Sequence, residues 1–230
     1  LAPFWAPLSR HDPDRNRLAW NLRHESVKNV PGLYVFGTLQ GRRVVPGTYE
    51  VRITKGDESR GESLEVLKDP RVEATLAGFR EQDELVQEIA AELEELHEGV
   101  IALRSVRDQI EDLLKRAEDT DAAAMLSDEG EELVEQLTAM EDSLVQKRTV
   151  DGQTVINFPT RLNFHYTYLI GAVESAEGVV TDGTRQMFGD LRSQWLNYKT
   201  QLNDLLEVRL AQFNSLVAES DVPAVIVPRP

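Results

Sequence analysis

Through the last two-thirds of the chain, apolar residues recur at alternating steps of three and four. That is the spacing of helices that bury one stripe against each other. The first stripe runs Ile89, Leu93, Leu96, Val100, Leu103, Val106, Ile110, Leu113. With Thr75 as its N-cap, it predicts a helix to about Ala117, a rod of roughly 60 Å. Such a helix needs a partner along its length, since propensity alone does not hold it. After a loop over 118–126, Asp128 with Glu131 three residues on has the form of a capping box, and Leu133, Leu137, Met140 and Leu144 mark a second helix. A turn-rich break at 150–154 follows, and Pro159 suits the first turn of a third helix. That helix carries Leu162, Tyr166, Leu169, Val173, Ala176 and Val180. Asp182-Gly183-Thr184 separates it from a fourth with Phe188, Leu191, Trp195, Tyr198, Leu202 and Leu205. Beyond Leu205 the stripe drifts to Leu206, Leu210, Phe213 and Val217, as an unsupercoiled helix should against a strict heptad. Short links between the four imply an antiparallel four-helix bundle over residues 73–219.

Residues 1–72 change the period to two. Leu18, Trp20 and Leu22 alternate with polar or small neighbours; Gly32 to Gly37 bound an apolar run; Tyr49, Val51 and Ile53 follow the Pro46-Gly47 turn. A polar hairpin loop over Lys55 to Gly61 leads to Leu64 and Val66. The expectation is a small fibronectin- or immunoglobulin-like β-sandwich with Trp20 at its buried centre. The fold class is therefore α+β, the sandwich preceding the bundle. Some 70 residues fall short of the ~100 of an immunoglobulin-like domain, which leaves open whether the module is complete at its N-terminus. Residues 220–230 form an apolar tail too rich in proline for a helix, expected to pack in extended form.

Composition narrows the function classes. At 41% hydrophobic and 28% charged residues, the chain is ordinary for a globular protein and has no run of the ~20 apolar residues a membrane span needs. The absence of cysteine excludes disulfides and thiolate metal sites. The net charge of −15 is uneven. Residues 1–70 hold 11 basic and 9 acidic side chains, residues 71–150 hold 8 and 22, and residues 151–230 hold 6 and 9. An acidic helical pair argues against nucleic acid and against an anionic membrane surface, and reads as a solvated face. The chain opens at Leu1 without methionine, which suggests a processed product or the tail of a longer polypeptide.

No residue set for chemistry stands out. Asp12, Asp14 and Asn16 open like a calcium loop, but Arg17 and Arg23 hold the places that need glycine and glutamate. His97-Glu98 lacks a second histidine four residues on, and His11, His24, His97 and His165 are scattered in sequence. Ser59 misses the nucleophile-elbow spacing by one residue. The pairs Glu94-Glu95 and Glu131-Glu132 read as exposed carboxylates near their ordinary pKa. Phe4, Trp5 and Leu8, with Val225, Ile226 and Val227 in the tail, lie outside any periodic element and are the candidate protein contacts. No catalytic, metal or cofactor residues are assigned.

The order of the pieces resembles the C-terminal region of large secreted bacterial proteins with sortilin-like, sialidase-type β-propeller repeats, often labelled glycosyl hydrolases. The matching stretches are residues 16–23 (NRLAWNLR), 45–52 (VPGTYEVR), 67–71 (LKDPR), 158–162 (FPTRL) and 210–214 (LAQFN). Asn21 stands where the family usually has aspartate. The resemblance implies an extracytoplasmic protein (periplasmic, cell-surface or secreted) that docks on the upstream propeller or on a cell-envelope partner. The expected function is a non-catalytic protein-interaction or scaffold module. The alternatives are the accessory domain of a hydrolase with its active site upstream, or a self-associating structural subunit of a cell-envelope assembly. Oligomeric state stays open.

Overall fold

A computed structural model of the chain describes residues 19–33, 35, 39–118, 123–148 and 157–220. Its spine is α1, Leu76–Ala117, which matches the long predicted rod. Thr75 caps it as the sequence implies: the backbone is extended there, and the hydroxyl accepts from the Gly78 N–H at 3.1 Å. Every residue of the predicted stripe from Ile89 to Leu113 is fully buried. The other helices are α2 (Ala123–Leu144), α3 (Leu162–Glu174), α4 (Asp182–Asn203) and α5 (Leu210–Ala218).

Cross-helix bonds fix the directions. Arg104 and Arg107 on α1 reach Glu141 on α2, and a methyl group added at Gly130 would meet Leu114, so α1 and α2 run antiparallel. Tyr166 on α3 bonds Glu92, while Gln82 bonds the carbonyls of Val173 and Ala176, so α3 is antiparallel to the first half of α1. Arg185, Arg192 and Trp195 on α4 meet Glu81, Glu88 or Glu92, and Glu95 in rising order, so α4 runs parallel to α1. Two long parallel rods thus share a groove filled end to end by α3 and then α2. Among the described residues the cross-section at each level holds three helices, not the four expected of an up-down bundle. The N-terminal segment occupies the open side: Val27, Val30 and Leu33 are buried in the helical core, and Arg104 donates to the Pro31 carbonyl at 2.8 Å.

Several local expectations need correction. Asp128 lies inside α2 rather than capping it, and Glu131 accepts instead from Ser127 at 2.7 Å. α3 ends at Glu174, which leaves Ala176 and Val180 in the connection. Pro159 precedes α3, and Thr181 caps α4 so that Asp182 is already helical. The drift of the last stripe has a local cause. Asp204–Arg209 is a π-helical turn, with the Leu210 N–H bonded back to Leu205, which inserts a residue and resets the phase. The α3–α4 connection passes so close to the start of α1 that a Cβ on Gly78 would sit 2.3 Å from the Gly178 carbonyl oxygen. Gly178 itself has φ +69°, where a side chain is strained.

The β-sandwich is contradicted. Among the described residues the sheet has two strands, β1 (Gly47–Lys55) and β2 (Glu58–Val66), paired antiparallel from Gly47↔Val66 to Lys55↔Glu58. The alternation at Trp20 and Leu22 does not make a strand: Leu22 has φ 56° and is largely exposed. Trp20 is half-buried, not a domain centre. It donates to the Arg23 carbonyl at 2.9 Å and packs edge-on against Tyr49, ring centres 5.5 Å apart. Leu33 joins the helical core instead of a second sheet. Among the described residues, the buried apolar side chains of this region, Val27, Val30 and Leu33, belong to the helical core and not to a second layer.

Candidate interaction surface

The hairpin is built from its turn outward. Gly56 at φ 59° opens the two-residue Gly56-Asp57 turn, the first position of a II′ type whose twist suits paired strands. The predicted loop from Lys55 to Gly61 is therefore shorter than expected, and Ser59 lies in β2, exposed and near the Thr54 hydroxyl. Alternation then sorts the faces. Tyr49, Val51 and Ile53 stand opposite Leu64, Glu62 and Arg60, with Thr48, Glu50, Arg52 and Thr54 on the other side.

At its root the hairpin is fastened to the bundle. Arg23 and Arg43 form an isolated bridge, and Val44 donates to the Leu22 carbonyl at 3.0 Å. Glu174, at the end of α3, holds both chains: it pairs with the Arg23 guanidinium at 3.0 Å and accepts the Arg43 backbone N–H at 2.8 Å. Arg42 pairs with Asp83 at 2.6 Å, and the Tyr49 hydroxyl donates to Val45 at 2.6 Å. A cleft of about 230 Å³ lies here, lined by Arg42, Arg43, Val66, Phe79, Gln82 and Glu177 among others. Its lining charges are engaged: Arg42 with Asp83, and Arg43 with Glu177 at 3.2 Å. Such pairs hold the root in place.

Beyond Tyr49, which Trp20 flanks, the apolar positions of the strands have no cover among the described residues. Val51 is 42% exposed, Ile53 64%, Leu64 40%, and Leu67, just past β2, 74%. The apolar positions of this face, set beside Glu62 and Arg60, therefore meet solvent, while comparable stripes on the helices are buried. Both outer edges carry unpaired backbone groups among the described residues.

The remaining candidates disperse. His24, His97 and His165 lie apart, and no group of three or more potential ligand residues gathers among the described residues. His97 is fully buried, with Nδ1 2.7 Å from the Lys28 carbonyl and no partner for Nε2. His165 lies 3.4 Å from the Thr160 hydroxyl, edge-on to Phe164. Trp195 is core, as its stripe position predicts. Glu95 departs from the expectation of an unperturbed carboxylate. Burial pushes it up, but hydrogen bonds from Lys199 and Trp195 outweigh that and hold it below its ordinary value. Glu132 pairs with Arg209 at 3.2 Å. Phe4, Trp5, Leu8, Val225, Ile226 and Val227, with His11 and the Asp12-Asp14-Asn16 series, lie outside the described residues.

One cluster escaped the sequence reading. Glu141 is fully buried and joined to Arg104 at 2.6 Å and Arg107 at 2.5 Å, with Lys147 at 3.7 Å. Burial raises its pKa, but the bonds from Arg107 and Arg104 prevail and hold it below the ordinary carboxylate value. The signal was present: Glu141 lies four residues after Leu137 on the stripe, and the two arginines follow Val100 and Leu103 at the same step.

No family model, no curated protein and no solved structure matches the chain. No helix among the described residues is long and apolar enough to cross a membrane.

Proposed function

We propose that this chain is a non-catalytic protein-interaction or scaffold module, in which a braced helical bundle presents the β1–β2 hairpin to another protein. The observation that carries the reading is the exposure of Val51, Ile53 and Leu64 on one face of an element fastened at one end. An isolated two-stranded hairpin is marginal in water, so anchoring at the root by Glu174, Arg23 and Arg42 supports a displayed element. Exposed strand edges and apolar sheet faces are docking platforms for other chains. The acidic helices would keep such an assembly soluble. On this proposal the module works beside an exported β-propeller or a cell-envelope partner, outside the cytoplasm; the resemblance of residues 16–23 and 45–52 supports that part of the reading.

The test is a photo-crosslinking residue placed at Ile53 in the protein produced by its native host, with the same residue at exposed Gln87 on α1 as the reference. Adducts with protein from position 53 that exceed those from position 87 are expected. Equal or absent adducts would overturn the reading.

A further inference from the structure

The outer edge of β1 has a definite chemistry. In a hairpin closed by a two-residue turn, Lys55 and Glu58 form the pair that exchanges hydrogen bonds, and every second pair repeats it. Tyr49, Val51 and Ile53 therefore aim their backbone groups at β2, while Thr48, Glu50, Arg52 and Thr54 aim theirs outward. Set antiparallel against its own copy about Val51, β1 is self-complementary. Thr48 meets Thr54, Glu50 meets Arg52, Tyr49 meets Ile53, and Val51 meets itself. The four residues with outward backbone groups become one another's hydrogen-bonded partners. The apolar side chains fall in the closer, non-bonded pairs of a single shared face.

We propose that a second copy of this chain docks on that edge, so that two hairpins form one four-stranded sheet, β2-β1-β1-β2, about a two-fold axis at Val51. This rests on the hairpin being the interaction surface. Charge selects the register. Sliding one way to the next register that keeps the outward groups matched sets Glu50 against Glu50; sliding the other way sets Arg52 against Arg52, and like charges directly opposed destabilise a sheet. Charge also selects the edge. The corresponding self-pairing of β2, about Glu62, opposes two glutamates at the axis and sets Arg60 against Leu64. Glu50 and Arg52 are mostly exposed, and in the single chain they pair with each other at 2.9 Å, so both are free to turn to a neighbour. A nine-residue edge, about 30 Å long, buries less than the ~1,200 Å² of a standard interface, so the dimer is a weak one that forms as concentration rises.

The test is sedimentation velocity on the full chain and its variants over a roughly hundredfold concentration range. The wild type is expected to show a reversible monomer–dimer equilibrium. Glu50→Arg alone and Arg52→Glu alone should each weaken it at least about tenfold, because each opposes like charges across the axis. An equimolar mixture of the two variants should restore pairing, since each chain then meets its opposite. Circular dichroism of both variants should match the wild type, as neither residue touches the core. A wild type that stays monomeric throughout, or variants that dimerise undiminished, would overturn the pairing. If the wild type is monomeric while Ile53 still crosslinks to a different protein, the two-fold pairing falls and the interaction-module reading stands.

Discussion

The helical bundle and the hairpin carry apolar patterns of similar regularity and spend them differently. On α1 the residues from Ile89 to Leu113 that face the other helices are sealed from solvent. On β1 the alternation of Tyr49, Val51 and Ile53 is equally clear, yet Ile53 is 64% exposed. Polar groups divide the same way. Buried charges of the bundle converge on one another, as Arg104 and Arg107 do on Glu141, whereas the hairpin's Glu50 and Arg52 sit in water. A period thus specifies the element and its apolar side, but not what lies against that side. Where the chain supplies the cover, the pattern becomes core; where it does not, the same pattern stays in solvent, and it is this face that the proposed function gives to another chain.

The contrast is broken most forcefully at Glu141. Glu141→Ala removes the anion on which two guanidiniums converge, and should destabilise the fold by about 3 kcal/mol or more, read from urea unfolding. The folded-state carboxyl lies below its ordinary value, so the unfolded chain binds a proton first as pH falls. The cluster's contribution is therefore complete above the ordinary carboxylate pKa and fades as pH drops toward the folded-state value. The variant should lose that acid-dependent component. A change within about 0.5 kcal/mol would mean that this cluster is no more integral than a surface pair.

The long rod, its cap at Thr75 and the burial of Trp195 were legible because helical period and capping chemistry are local signals. Strand alternation at Tyr49, Val51 and Ile53 was legible for the same reason. The sandwich failed because burial is not local: Val27, Val30 and Leu33 satisfy α1 instead of a facing sheet, and no alternation of neighbours reports which layer a segment joins. The π turn at Asp204–Arg209 showed in the sequence only as a phase drift, which a plain helix also produces. The proposed interaction surface was half legible. Its apolar residues were read as one face of a sandwich strand, while the self-complementary order of Glu50, Val51 and Arg52 emerges only once the hairpin's register tells which backbone groups face outward.

His97 sharpens the comparison through pH. Its buried ring suits the neutral form, in which Nδ1–H donates to the Lys28 carbonyl and Nε2 stays bare. Burial lowers its pKa more than the Lys28 bond raises it. Below about 6.5 the unfolded chain therefore takes up the proton first, and stability present above that pH is lost as the solution is acidified. His24 is shifted the same way, by burial and then by Arg42, so it adds to the slope. His97→Gln should flatten stability between pH 7 and pH 5 without abolishing the fall, the His97 share being at most about 1.4 kcal/mol per pH step. An undiminished slope would place the titration elsewhere.

The smallest effect is expected where the pattern looks most like core. Ile53→Thr removes apolar surface from a face that in the monomer buries little, and threonine is as well suited to a strand. Unfolding of the bundle, measured in dilute solution by helical circular dichroism, should shift by less than about 0.5 kcal/mol. The same kind of truncation inside α1, at Leu103, has a cavity to leave and would cost about 2–5 kcal/mol. If Ile53→Thr cost as much as that, the hairpin face would have to be covered within the single chain. Its apolar residues would then belong to the fold, and the division between a self-satisfied bundle and a displayed hairpin would collapse.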